Sequence, residues 1–109
     1  MAIQMDLECS SITREMLPAV RAYTAEQLSR KYSMTQAEIA IRLGIAQVAV
    51  SKYLNGKYSE KVRRMKERVG KSRKVDGVVS RVAGMTNAID VGSVINDLCT
   101  SLLYDDLVV

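Results

Sequence analysis

The sequence predicts an all-helical domain, and three observations carry that expectation. Apolar residues recur at intervals of three and four, the spacing of one helix face, with no apolar–polar alternation of the strand kind. Helix punctuation is frequent: Pro18, the Thr35–Glu38 pair, Gly44, Asn55-Gly56 and Ser59. The 109 residues are 48% hydrophobic and 26% charged, enough for one domain with a modest core and at most one small appendage.

Leu17-Pro18 opens the first convincing helix, because proline is favoured in a first turn. It should run to about Tyr32, with Val20, Thr24, Leu28 and Tyr32 near one face. Residues 1–16 have no firm period and read either as an arm or as a short packing helix. Thr35-Gln36-Ala37-Glu38 is a capping box, in which the Thr35 hydroxyl and the Glu38 carboxylate each accept the other's backbone amide. The helix it starts turns Ala40 and Leu43 inward and Glu38 and Arg42 outward, four apart and opposite in charge. Gly44 stops it by allowing positive φ.

A second short helix spans roughly 46–54 with Val50, Tyr53 and Leu54 as its buried stripe, and Asn55-Gly56 ends it. Ser59 caps a basic helix from 60 to about 69. Val75, Val78, Val79, Val82 and Ile89 then trace a stripe weakened by Gly77 and Gly84. Gly70, Gly77 and Gly84, seven apart, either permit close helix approach or simply interrupt the helix. A last helix over about 91–104 places Val91, Ile95, Leu98 and Leu102 on one side. That stripe has two readings: packing on the domain's own core, or a two-fold dimer seam.

Composition excludes much chemistry. With no His there is no histidine acid–base pair, no Ser-His or Cys-His nucleophile and no mixed Cys/His zinc site. Cys9 and Cys99 are neither a CxxC pair nor a metal cage. We therefore expect no enzyme, and no catalytic, cofactor or metal site. The apolar runs fall short of the ~20 residues that cross a bilayer, and MAIQMDLECS lacks the basic flank and apolar stretch of a signal peptide. A cytoplasmic protein without a membrane partner is expected.

The net charge of +4 is unevenly spread. Residues 1–51 are balanced. Residues 52–74 hold ten Lys and Arg against Glu60 and Glu67, a net +8, and residues 75–109 carry a net −4. So basic a segment is either a solvated helix surface or an attractor of a polyanion, and nucleic acid is the commonest one in the cytosol.

Residues 36–56, QAEIAIRLGIAQVAVSKYLNG, decide between these. Ala40 is small where two helices cross, Gly44 makes the turn, and Ile45 and Val50 plug the angle between the helices. The opposite side of the second helix then shows Gln47, Val48, Ser51 and Lys52. The segment resembles a helix-turn-helix of the phage-repressor (XRE/Cro) type, which implies a lambda-repressor-like domain over residues 17–58. Residues 59–109 would add a basic helix and C-terminal helices for packing or dimerisation. The resemblance implies that Gln47 reads adenine through its amide. It further implies that Gln36 contacts phosphate and braces Gln47, and that Asn55 holds a phosphate beyond the helix. Val48 departs from the usual polar residue and offers only apolar contact, to a thymine methyl. Ser51 and Lys52 meet phosphate, Lys57 belongs to the basic stretch facing it, and Tyr58 is within reach of it.

More broadly, Leu17–Ala22 (LPAVRA) and Ala49–Lys57 (AVSKYLNGK) make residues 16–58 similar to an archaeal family of predicted transcriptional regulators. The expected function is transcription regulation by sequence-specific binding of double-stranded DNA. A homodimer joined through Val91, Ile95, Leu98 and Leu102 would read a palindrome. The competing readings are an antitoxin-like or accessory subunit that binds a protein partner, and a ligand-sensing module linked to an enzyme.

Overall fold

The computed structural model of the chain describes residues 2–103, with side chains described from Arg14 to Leu102. Six helices follow in order: α1 (Ala2–Tyr32), α2 (Gln36–Leu43), α3 (Gln47–Leu54), α4 (Glu60–Gly70), α5 (Arg73–Gly84) and α6 (Ala88–Leu103). No strand occurs among the described residues, so the fold is all-α.

α1 is the axis of the molecule. At ~1.5 Å per residue a helix of this length spans ~46 Å, close to the 43 Å long dimension, and each of the other five helices packs against it. Met16, Val20, Thr24 and Leu28, four apart, are fully buried together with Ala19, Ala22 and Ala25. The alanines let neighbouring helices approach on a second side, so α1 is covered around much of its circumference rather than along one stripe.

Three expectations change here. Residues 2–16 form neither an arm nor a separate helix, because α1 is continuous from Ala2. Pro18 lies inside that helix and not in its first turn. Its fixed φ suits a helix, and the lost hydrogen bond is the one its amide would make to the Arg14 carbonyl. Tyr32, expected on the buried face, is 41% exposed at the helix end, where Ser33 turns left-handed (φ 54°).

α4 lies on α1 through Val62, Met65 and Val69, and the buried face of α5 is Val75, Val79 and Val82. Ile89 does not continue that face. Residues 85–87 break the helix and the Asn87 side chain accepts from the Ile89 amide (2.8 Å) at the start of α6, leaving Ile89 81% exposed. The three glycines likewise do not fall along one helix: Gly70 ends α4 against the Tyr23 ring, and Gly77 and Gly84 lie in α5 with open space around them.

The α6 stripe settles on its first reading. Val91, Ile95, Leu98 and Leu102 are at most 4% exposed within the single chain, on an element that packs against α1, α2 and α5. Their surface is covered by the chain's own helices. Cys99 is buried among them and burial pushes its thiol up to about 11. The Cys9 side chain lies outside the described residues, as do Tyr104–Val109. No helix among the described residues is long and apolar enough to cross a membrane.

Candidate nucleic-acid interface

The capping box at the start of α2 forms as expected. The Thr35 hydroxyl accepts from the Glu38 amide (3.1 Å) and the Glu38 carboxylate accepts from the Thr35 amide (2.9 Å). The backbone hydrogen bond from Thr35 holds the Glu38 carboxyl below its usual range. At the other end Gly44 is left-handed (φ 68°), so that its amide reaches the Ile41 carbonyl and the Ile45 amide the Ala40 carbonyl. This is the closure a residue without Cβ makes easiest. α3 ends the same way: Gly56 (φ 68°) donates to Tyr53 and Lys57 to Lys52. Ile39, Ala40, Leu43 and Val50 are buried where α2 and α3 meet, with Ile45, Tyr53 and Leu54 half-buried around them.

Arg42 behaves differently from its expected place on the outer face. It is half-buried and its Nη1 donates to the carbonyls of Ala83 (2.7 Å), Val82 (3.3 Å) and Met85, at the C-terminus of α5. A cation there meets the negative end of the helix dipole as well as carbonyls without helical partners. Arg42 therefore ties α2 to the α5–α6 corner, and only a weak field links it to Glu38.

With its inner face buried, α3 presents Gln47 and Lys52 exposed, Val48 at 66% exposure and Ser51 half-buried. Gln36, half-buried at the start of α2, makes no hydrogen bond to Gln47, so the expected brace is absent in the free chain. The Asn55 amide nitrogen donates to the Ser51 carbonyl (2.8 Å) and lies 3.3 Å from the Ser51 hydroxyl. A phosphate at Asn55 has to displace the longer of these. Lys57 is exposed.

Tyr58 lies in the turn between α3 and α4. It is half-buried, 6.5 Å from the Tyr53 ring, with the Arg63 guanidinium 5.1 Å and the Lys66 ammonium 5.6 Å from its own ring. Arg63 also donates to the Gly56 carbonyl (3.0 Å), and Lys66 pairs with Glu26 on α1. Burial works against the Lys66 charge, yet hydrogen bonds to Glu26 and Tyr58 raise its pKa. Together Tyr58, Arg63 and Lys66 fix the α3–α4 loop that carries Asn55 and Lys57. Nothing in the spacing of Arg63 announces this, because the contact depends on how α4 folds back over the loop. Comparisons with family models, with curated proteins and with solved structures return no match for this chain.

Proposed function

We propose that this chain is a sequence-specific binder of double-stranded DNA that regulates transcription, with α3 as the helix that enters the major groove. The observation that carries the reading is the contrast between the two sides of α3. Val50 is fully buried, whereas Gln47, Val48 and Lys52 are exposed, and neither the Gln47 nor the Lys52 side chain has a hydrogen-bonded or ionic partner among the described residues. A helix of eight residues is ~12 Å long, the width of the major groove. The left-handed Gly44 turn that joins α2 to α3 over the buried Ala40 and Val50 supports the same reading.

In this mechanism the protein acts by placement. Lys52, Lys57 and the Ser51 hydroxyl meet phosphates and set the register; Gln47 pairs with N6 and N7 of adenine; Val48 covers a thymine methyl. Two copies would read half-sites ~34 Å apart, joined by a surface other than the buried stripe of α6. The test is selection of duplexes from a random pool, followed by titration of Q47A. The variant should lose ~1–3 kcal/mol on the enriched sequence and less on random DNA. Equal losses on both remove the base-reading role, and a pool with no enrichment refutes the proposal in favour of a protein-binding accessory subunit.

A further inference from the structure

The cations of α4, with Lys71 at its C-cap, divide into two populations in the structure. Arg63 and Lys66 turn toward Tyr58, the α3–α4 loop and Glu26, where they serve the fold. Lys61, Arg64, Arg68 and Lys71 turn the other way. Their spacings of three, four and three bring them within ~80° of arc at ~100° per residue, beside the buried face of Val62, Met65 and Val69. They line an open groove of about 560 Å³, to which Glu15 of α1 and Glu67 also contribute. With Glu60 beside Arg64, four cations face three carboxylates, and this surface keeps an excess of one positive charge. Arg64 is 76% exposed although it lies 3.8 Å from Glu60, and Lys61 and Lys71 are exposed.

From this geometry we infer that the outer stripe of α4 is a second DNA contact, a track for the phosphate backbone of one strand beyond the bases read by α3. Length and charge suit that partner. Ten helical rises from Lys61 to Lys71 cover ~15 Å, the axial distance over which one strand of B-DNA advances about four phosphates. Position suits it as well, because the stripe starts four residues after Lys57, and α3 and α4 both pack on α1. The inference rests on the reading of α3 as the recognition helix for its orientation, but not for its charge.

The experiment titrates wild type, K61Q/R64Q/K71Q and Q47A against two duplexes of roughly 30 base pairs, one with the enriched sequence and one scrambled, between about 50 and about 200 mM salt. The triple variant should weaken binding to both duplexes by the same factor. Its slope of log K against log salt should be shallower by about 2–3, with the ratio between the two duplexes intact. Q47A should lower that ratio and leave the slope alone. A slope unchanged in the triple variant overturns the stripe. If wild type shows no preference between duplexes while the triple variant still flattens the slope, the reading of α3 fails and the stripe stands as a non-specific contact. K61R/R64K/K71R, which keeps the charges, should restore the slope; if it stays flat, the loss came from disturbed folding and the track is rejected.

Discussion

Arg42→Met keeps most of the aliphatic stem of residue 42 and removes its donors, so it isolates the tie between α2 and the end of α5. In the native chain one guanidinium nitrogen serves three carbonyls. The Val82 carbonyl also accepts from the Met85 amide (3.1 Å) and suffers least. Hydrogen bonds from a charged donor contribute ~1.5–3 kcal/mol, and a cation at a helix C-terminus adds ~0.3–1 kcal/mol. The group is half-buried, so water compensates part of the loss, and about 2 kcal/mol remains. In a domain near 100 residues that lowers Tm by ~8–16 °C. Urea unfolding should show a reduced midpoint with an unchanged slope. A double-mutant cycle with Glu38→Gln should give little coupling, because Arg42 faces α5 and not the capping box. A loss below ~0.5 kcal/mol, typical of an exposed i,i+4 pair, or a cycle that assigns the whole effect to Glu38, would refute the tie.

Glycine substitutions should separate by environment: Gly77→Ala, with open space around it in a helix interior, should stabilise by ~0.5–1 kcal/mol. Gly70→Ala puts a methyl 2.9 Å from the Tyr23 ring and should displace the Tyr23 hydroxyl from Asp76 (3.1 Å), giving a net loss in the same urea assay. Because the Glu38 carboxyl titrates below its usual 4.5, its contribution is complete above that pH and fades as pH falls through the folded-state value. Glu38→Gln should flatten this acid limb of the stability profile, and an unaltered limb would deny the capping box its share. Cys99, with its thiol pushed up to about 11 from 9.0, stabilises the fold below its ordinary value and loses that contribution as pH rises through about 11. In a Cys9→Ser background it should resist thiol reagents near pH ~8 until denaturant is added, and rapid native labelling would contradict its burial.

The parts of the fold legible in the sequence are those governed by local chemistry. The Thr35–Glu38 box, the left-handed Gly44 and Gly56, the Ser59 cap and the apolar stripe of α6 each depend on residues within a turn or two, and each is present. The departures come from contacts between distant segments. Pro18 resembles a helix start because its φ suits one, but the packing of Met16, Ala19 and Val20 makes the interior position tolerable. Arg42 matches Glu38 in sequence, yet the α5 carbonyls forty residues away offer more acceptors than one exposed carboxylate. The α6 stripe looked equally suitable for a partner chain, and only the arrangement of α1, α2 and α5 around it assigns it to the core. At the candidate site the outward face of α3 follows from its inward one. The enclosure of Tyr58 between Arg63 and Lys66 does not, because it depends on the path of the loop.

α3 is poorly equipped to hold its own shape. It has eight residues, where isolated helices need ~12–15 to be even marginal. Its first turn is preceded by Ala46, which offers no side-chain acceptor, whereas Thr35 and Ser59 cap α2 and α4. Its order must come from tertiary packing, through Val50 inside, the Gly44 turn at one end and the Tyr58–Arg63–Lys66 cluster at the other. That division frees its outer side chains from any structural duty, so Gln47, Val48 and Lys52 can be chosen for a partner at little cost to the fold. The same logic separates the cations of α4: Arg63 and Lys66 hold the scaffold, whereas Lys61, Arg64 and the capping Lys71 extend into solvent. Substitutions on the two sets should therefore divide cleanly, with Arg63 and Lys66 variants losing stability and Lys61, Arg64 and Lys71 variants losing affinity for DNA.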